Sequence, residues 1–315
     1  MKFYTGVTDT DWYSFLRKIL PDEVNFWQPG GRTSFKVLTQ GAPFLFKLKS
    51  PDNAIGGLGF FVSHTFLPLS VAWDIFGFKN GAENYSQLLK KILSLRTDYS
   101  SVKTDPVIGC IVLTNPVFFD DQDWIPVPSD WASSIVQGKS YSTEDPIGKD
   151  LWSKVNYTLA KYQFFKKEEE SKSQFVLDNS YSPEYRQVLT YVRTGQGSFR
   201  VSITEAYTRR CAVTGEKTLP VLEAAHIKPF ADSGPYFINN GILLRSDLHK
   251  LFDSGYMTLT KDYRIEISRR IKEEFENGGE YYKYHGNSMI VLPHRPLDQP
   301  RSDFIEWHNQ HIYKG

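Results

Sequence analysis

Hydrophobic and polar positions in the first half of the chain form short patterned segments that are separated by turn residues. Residues 43–49 alternate apolar and basic side chains, which is typical of a strand with one face in water. Residues 56–63 predict a second strand, entered through glycines, and the β-branched run 107–114 predicts a buried one. Residues 11–20 and 86–95 have apolar positions at helical spacing. We therefore predict a compact α+β domain with a barrel-like sheet.

A charged segment separates this half from the next one. Residues 166–174 carry many charges and few apolar side chains, which is typical of a linker or of a solvated helix end. The pattern then predicts a helix over 185–194 and another from 196 to about 210. We accordingly expect one domain over residues 1–165, a linker over 166–182 and a second domain over 183–315.

Composition limits the class of protein without identifying it. A chain of 315 residues with 40% hydrophobic and 15% aromatic residues has material for two packed domains. The net charge of +1 excludes a polycation, although a local basic patch remains compatible with nucleic acid. Cys110 and Cys211 are too few for a disulfide framework or a four-cysteine zinc site. No signal-peptide pattern and no run of about 18 apolar residues occurs, so we expect a cytoplasmic protein without a membrane partner.

The candidate chemistry lies in the second half. Residues 221–227 predict a strand that ends near His226, and residues 241–244 predict a second short strand that leads into a helix. The predicted order is therefore strand, loop, strand and helix. His249 and Asp253 are four positions apart in that helix, so they share one face and form a plausible pair of metal ligands.

These residues resemble a known family. The order His226, Asn240 and His249, with eight residues between the last two, is similar to the motif of HNH nucleases. The surrounding blocks, including Ala-Ala-His-Ile, Asn-Gly-Ile-Leu-Leu and Leu-His-Lys-Leu-Phe-Asp, resemble HNH restriction endonucleases that lack a zinc ribbon. The upstream segment 195–200, Gly-Gln-Gly-Ser-Phe-Arg, also resembles that branch, so the resemblance covers about residues 183–315. It implies a ββα-metal fold and metal-dependent hydrolysis of phosphodiester bonds.

The resemblance also implies roles for individual residues. His226 would take the proton of the attacking water, with Asn240 and His249 completing the catalytic set. A divalent metal would be held by His249, Asp253 or Asn240, with Mg²⁺ expected first and Mn²⁺, Ni²⁺ or Zn²⁺ as alternatives. Many members of the family carry a ligand immediately before the base, and here that position is Ala225. Asn240 is either a ligand or a brace that fixes the loop, and we favour the brace.

Basic and histidine side chains outside the motif are ambiguous. Scattered surface charge is the simplest interpretation of the basic ones, but four are candidates for contacts with DNA phosphates: Lys228, Lys250, Arg245 and Arg210. Four later histidines have no matching sequence context, and we interpret them as surface residues: His285, His294, His308 and His311.

The aromatic residues of the first half suggest a way to select DNA. This half resembles, more weakly, the PUA-superfamily readers of the EVE and SRA type, which flip a modified cytosine into an aromatic pocket. Candidate pocket residues are Trp27, Trp73, Trp12 and Tyr85. Each tryptophan has the alternative interpretation of an ordinary core residue. The two resemblances together imply an endonuclease for DNA that carries 5-methylcytosine or 5-hydroxymethylcytosine.

Two other functions fit the same sequence. One is a non-catalytic DNA-binding or regulatory protein with a degenerate HNH fold, for which Ala225 is the only indication. The other is an HNH endonuclease specific for unmodified or phosphorothioate DNA. Because one HNH site cuts one strand, a double-strand break also predicts a homodimer, at least on DNA.

Overall fold

A computed structural model describes residues 1–96, 104–166 and 195–315. The described chain divides into two compact units, Met1–Ser198 and Phe199–Gly315. Most of the predicted linker and the helix predicted over 185–194 lie outside the described residues. None of the helices in the described part of the chain combines the length and the apolarity needed to cross a membrane.

A mixed sheet forms the first unit. Its strand order is β2-β5-β4-β3-β1-β7, with β6 paired to β4. β1 and β3 are parallel, whereas the other pairs are antiparallel. The strands are β1 (Lys2–Thr8), β2 (Glu23–Gln28), β3 (Pro43–Leu48), β4 (Ala54–Pro68), β5 (Val107–Phe118), β6 (Ile125–Pro126) and β7 (Gly138–Ser142).

The sheet is open in the described residues. Its path ends at β2 on one side and at β7 on the other, and no recorded pairing joins these two strands. The predicted α+β class is confirmed, but the predicted closed barrel is not, because a barrel requires its end strands to pair.

Helices accompany this sheet, and helical spacing predicted two of them. These two, over 11–20 and 86–95, are confirmed within one residue at each end. The helices are α1 (Thr10–Ile19), α2 (Leu69–Phe76), α3 (Tyr85–Ser94) and α4 (Pro146–Lys166). α1 ends because Leu20 takes a left-handed conformation with a φ of 45°.

Both faces of the sheet are buried. Successive side chains of a strand point to opposite faces, so Phe44 and Phe46 of β3 face one side and Leu45 the other. Phe44 and Phe46 join an apolar cluster with Trp12 of α1, whereas Leu45 joins a second cluster that includes Leu151 of α4. The central strands therefore consist mainly of apolar residues rather than alternating with polar ones.

The second unit contains the predicted strand–loop–strand–helix. Its first helix, α5 (Gln196–Ala206), begins three residues before this unit and continues into it. The other elements are β8 (Leu222–His226), β9 (Gly241–Arg245), α6 (Ser246–Asp253), β10 (Met257–Leu259), β11 (Ile265–Ile267), α7 (Arg270–Phe275), α8 (Gly279–Tyr282) and α9 (Ser302–His311). β8 and β9 are antiparallel, with His226 opposite Gly241. α5 ends before the predicted position near 210, because Thr208 and Arg209 adopt positive φ angles of 51° and 58°.

One histidine is buried where the sequence predicted a surface residue. His308 of α9 is 2% exposed, and its ring stacks on Phe252 with centroids 3.9 Å apart. Its Nε2 lies 3.1 Å from the carbonyl oxygen of Phe252, and its Nδ1 lies 2.8 Å from the Thr258 hydroxyl. Burial lowers the pKa of His308 to about 4. The surface interpretation was wrong because His308 lies on the core-facing side of its helix.

Gly57 of β4 allows a close backbone approach. A Cβ atom at this position would lie 2.2 Å from the carbonyl oxygen of Val117 on the neighbouring strand. We expect Gly57→Ala to cost about 1–3 kcal/mol of unfolding free energy, since the sheet backbone has to shift. Urea unfolding followed by circular dichroism measures this loss.

Gly30→Ala is the matched control. Apart from Gly30 itself and its chain neighbours, no atom of the described residues lies within 4 Å of a Cβ at Gly30, and its φ is not in the left-handed region. This substitution should leave the unfolding midpoint unchanged or raise it slightly, because alanine restricts the unfolded chain. Equal destabilisation by both substitutions would contradict the role assigned to Gly57.

Candidate active site

His226 lies at the end of β8, half-buried between aromatic rings. Its imidazole stacks on Phe199, with ring centroids 3.9 Å apart and an interplanar angle of 12°. Tyr236 meets it edge-on at 5.1 Å. The Nε2 atom of His226 is buried and has no hydrogen-bond partner in the described part of the chain. A backbone carbonyl or amide that would fix the tautomer at Nε2 is therefore not found among these residues.

This environment favours the neutral imidazole. Burial lowers the pKa of His226 to about 4; the carboxylate of Asp253 acts in the opposite direction, and the charge of His249 lowers the pKa further. A neutral ring has a free lone pair near pH 7, as a general base requires. Because the folded pKa lies below the unfolded value of about 6.5, the stability gained from the neutral ring is complete above pH ~6.5 and falls as the pH drops toward 4.

His249 is held by two carboxylates. Its Nδ1 lies 2.6 Å from Oε2 of Glu223, and its Nε2 lies 3.1 Å from Oδ2 of Asp253, one helical turn later. Burial opposes a charge on His249, but hydrogen bonds and charges from Asp253 and Glu223 outweigh it, so the pKa is raised. A carboxylate at each ring nitrogen favours the protonated form of His249. The surroundings of the two histidines therefore shift their pKa values in opposite directions.

Glu223 is the site residue that the sequence analysis missed. It precedes His226 by three positions in β8 and pairs in register with Leu244 of β9. Its carboxylate contacts His249, although the two residues are 26 positions apart in sequence. The available signal was an acidic side chain inside a short strand next to the motif.

The donor types at His249 suit a divalent metal. An imidazole with two carboxylates supplies the nitrogen and oxygen ligands that Mg²⁺, Mn²⁺ and Zn²⁺ accept. In the described residues these groups contact one another, and no set of three or more His, Cys, Asp or Glu side chains is arranged around a common point. Metal binding here would displace a proton from His249, as metal sites require deprotonated ligands.

Asn240 braces the loop between β8 and β9. Its Oδ1 accepts a 2.9 Å hydrogen bond from the backbone N–H of Lys228. Its Nδ2 donates to the carbonyl oxygens of Lys228 and Pro235, both at 2.9 Å. The side chain is fully buried. These contacts favour the predicted brace, and this placement does not favour Asn240 as a metal ligand.

The four basic candidates for phosphate contacts differ in whether a carboxylate already binds the side chain. Arg245 is engaged by Asp247, with Nε–Oδ1 at 2.6 Å and a second hydrogen bond at 2.7 Å. Lys228 lies over the ring of Trp307, with Nζ 5.3 Å from the centroid. Lys250 is exposed on α6, and Arg210 is half-buried with its Nε unpartnered in the described residues. Arg245 is paired with Asp247, whereas in the described part of the chain no ion pair joins Lys228, Lys250 or Arg210 to a carboxylate that would compete with a phosphate.

The first unit contains a cavity of about 400 Å³, and two of the four predicted pocket aromatics line it. Trp12 and Trp27 lie in its wall, together with Tyr4, Phe26 and Phe35. Trp12 is only 3% exposed and donates a hydrogen bond from Nε1 to the carbonyl oxygen of Asn25 at 3.1 Å, so it is also a core residue.

The other two predicted pocket aromatics lie elsewhere. Trp73 and Tyr85 meet edge-on, with ring centroids 6.4 Å apart. Neither residue belongs to the cavity lining. The structure therefore separates the four candidates into two pairs, which sequence spacing could not do.

Part of the second unit matches a known protein family. Residues 211–260 match the HNH endonuclease family, so this segment is an HNH endonuclease domain. It contains β8, β9 and α6 together with His226, Asn240, His249 and Asp253. No curated protein matches the sequence.

Several solved structures are similar to this chain at low identity. A mutant of ZmASCH from Zymomonas mobilis is 9% identical and has a TM-score of 0.33, with 49% of this chain and 98% of that chain covered. The modification-dependent TagI restriction endonuclease is 16% identical, with a TM-score of 0.28 and coverage of 92% and 75%. The phosphorothioation-dependent restriction endonuclease ScoMcrA is 14% identical, with a TM-score of 0.18 and coverage of 79% and 52%.

Asn240→Ala tests the brace. The substitution leaves buried backbone groups of the loop unpaired, at a cost of about 1–3 kcal/mol for each group that finds no new partner. We expect hydrogen exchange of the loop amides over 227–240 to accelerate by about tenfold or more, measured by mass spectrometry.

Asn239→Ala is the control for this experiment. Its side chain donates a single 3.2 Å hydrogen bond to the carbonyl oxygen of Leu297. It should therefore change exchange in the loop much less than Asn240→Ala does. If the two variants accelerate exchange equally, Asn240 is not the brace.

Proposed function

We propose that this chain, which contains an HNH endonuclease domain, is a metal-dependent DNA endonuclease with His226 as the general base. The observation that carries the proposal is the neutral, half-buried imidazole of His226 at the end of β8, close enough to Asp253 and His249 for their charges to act on its pKa. The family match over residues 211–260 supports the assignment independently.

The ring nitrogens of His226 are assigned different roles. Nε2 is buried without a partner in the described residues and is not placed to reach a water, so we assign the acceptance of the water's proton to Nδ1 and the proton of the neutral ring to Nε2. A neutral imidazole can accept this proton near pH 7 without first releasing one of its own. Lys228 and Lys250 bind DNA phosphates next to the cleaved bond and thereby fix the position of the DNA backbone.

We assign the metal to the surroundings of His249. His249, Asp253 and Glu223 are the ligand candidates, with Glu223 added to the predicted set because its carboxylate contacts the ring. When bound, a divalent cation would supply positive charge that stabilises the departing oxygen. Asn240 acts indirectly by holding the loop that follows His226.

His226→Ala tests the nuclease. We expect the rate of plasmid nicking with Mg²⁺ or Mn²⁺ to fall by about 10²–10⁴-fold, because the water loses its proton acceptor. His294→Ala is the control, since His294 is exposed and lies outside the motif. Nicking that persists equally in both variants would remove the assignment of the base.

We further propose that the cavity of the first unit receives a modified cytosine flipped out of the duplex. Its volume of about 400 Å³ lies within the range of small-ligand pockets, and aromatic residues line it. Flipped bases are held by stacking on such side chains. Trp27 is the best candidate for this contact, because it is only half-buried whereas Trp12 is nearly inaccessible.

Trp27→Ala tests the reader. We expect it to weaken binding to duplexes that carry 5-methylcytosine or 5-hydroxymethylcytosine by about 1–3 kcal/mol, measured by fluorescence anisotropy without metal. Trp73→Ala is the control, since Trp73 does not line the cavity. Equal affinity of the wild-type protein for unmodified and modified duplexes would refute the reader, and preference for phosphorothioate duplexes would identify the other substrate class.

Two observations favour a non-catalytic alternative. In the described residues no three ligating side chains surround a common point, and the position before His226 is Ala225. A degenerate HNH domain that only binds DNA has both features. It would bind DNA but show no metal-dependent nicking, so the plasmid assay separates the two functions.

We also propose that two copies act together on DNA. One HNH site breaks one strand, so a double-strand break requires a second site on the opposite strand. Cleavage that depends on the square of protein concentration would support a dimer assembled on DNA.

A further inference from the structure

The segment Gly-Gln-Gly-Ser-Phe-Arg at 195–200 has no role in the mechanism described so far. Its Phe199 belongs to the second unit and is 2% exposed. The Phe199 ring lies parallel to the imidazole of His226, with an interplanar angle of 12° and centroids 3.9 Å apart. At this separation the two rings are in van der Waals contact face to face, so Phe199 covers one face of the imidazole.

We propose that Phe199 is a positioning residue for the general base, which orients the His226 imidazole by stacking on its face. This inference rests on the proposed role of His226 as the base. It assigns to an aromatic contact the task that a hydrogen bond at the second ring nitrogen performs in other catalytic histidines.

The ring needs such a constraint. The χ2 torsion of histidine has a broad energy profile, so the side chain does not hold its own ring plane. In the described residues Nε2 of His226 is buried and unpartnered, and no hydrogen bond fixes the ring there. Tyr236 adds an edge-on contact at 5.1 Å. The stack with Phe199 and this edge-on contact together restrict the rotation of the imidazole.

The opposite strand leaves room for the Phe199 ring. Gly241 is the cross-strand partner of His226. A Cβ atom at Gly241 would lie 2.7 Å from Cζ of Phe199 and 2.4 Å from Cδ1 of Ile203. A larger residue at 241 would displace the Phe199 ring from the imidazole. Phe199 and Gly241, which come from separate sequence blocks, therefore form one structural unit around His226.

The stack also affects the protonation of His226. By covering one face of the imidazole, Phe199 excludes water that would otherwise solvate the charged form. Burial is the largest cause of the lowered pKa of His226, which is about 4. If Phe199 is lost, water reaches the ring and its pKa rises toward the unperturbed value of about 6.5.

Phe199→Leu tests the proposal with two measurements on the full chain. In the metal-free protein without DNA, NMR of the His226 ring should show the loss of the ring-current shift and a higher pKa. In plasmid nicking with Mn²⁺, kcat at neutral pH should fall by about 10- to 100-fold with little change in KM, because the base is misoriented. The acid limb of the pH–rate profile should move to higher pH.

Val201→Ala is the matched control. Val201 is buried in the same helix, but two residues correspond to about 200° around the helix from Phe199. The substitution Val201→Ala removes apolar volume without removing the stack. The NMR signal of the His226 ring should therefore stay as in the wild-type protein. Gly241→Ala is a second test that keeps Phe199 and displaces its ring. Like Phe199→Leu, it should remove the ring-current shift of the His226 signals and lower kcat.

The outcomes separate this inference from the proposed function. If Phe199→Leu and Gly241→Ala leave the His226 shift, its pKa and kcat at the level of Val201→Ala, the positioning role is overturned. If the wild-type NMR shift demonstrates the stack but the protein cuts no DNA with Mg²⁺ or Mn²⁺, the proposed nuclease function is overturned instead. A wild-type protein that nicks DNA without a stacked His226 signal also overturns the positioning role.

Discussion

The antiparallel pairing of β8 with β9 is the constraint on which the candidate active site depends. It sets His226 opposite Gly241 and leads directly into α6, which carries His249 and Asp253. The loop between the two strands is closed by the buried amide of Asn240, which satisfies three backbone groups at once. A shift of one residue in this register would turn His226 to the other face of the hairpin, because side chains alternate along a strand.

Two histidines in this unit have opposite electrostatic surroundings, and that difference suits their proposed roles. His226 is surrounded by Phe199 and Tyr236, so burial lowers its pKa and keeps it neutral. His249 contacts Glu223 and Asp253, whose charges raise its pKa despite burial. Environments that push the pKa values of two titratable groups apart commonly separate a base from a charged or ligating partner.

In the first unit, the sequence positions of single aromatic residues did not predict which of them line the cavity. Trp12 and Trp27 share the wall of one cavity, whereas Trp73 and Tyr85 pack against each other. Trp12 lies in α1, Trp27 in β2, Trp73 in α2 and Tyr85 in α3, and none of these placements by itself shows which side chains meet. The strand order β2-β5-β4-β3-β1-β7 decides which side chains meet, and it also leaves the described sheet open where a barrel was predicted.

The sequence by itself predicted several of the strands and helices and the HNH motif. Periodicity of two or of about 3.6 residues located those elements, and the spacing of Asn240 and His249 indicated the motif, because both are local properties. Only the tertiary structure decided that Glu223 reaches His249 from 26 positions away, that Phe199 stacks on His226 and that His308 is buried. The physical reason is that these contacts join distant segments, and their distances follow from packing rather than from sequence separation.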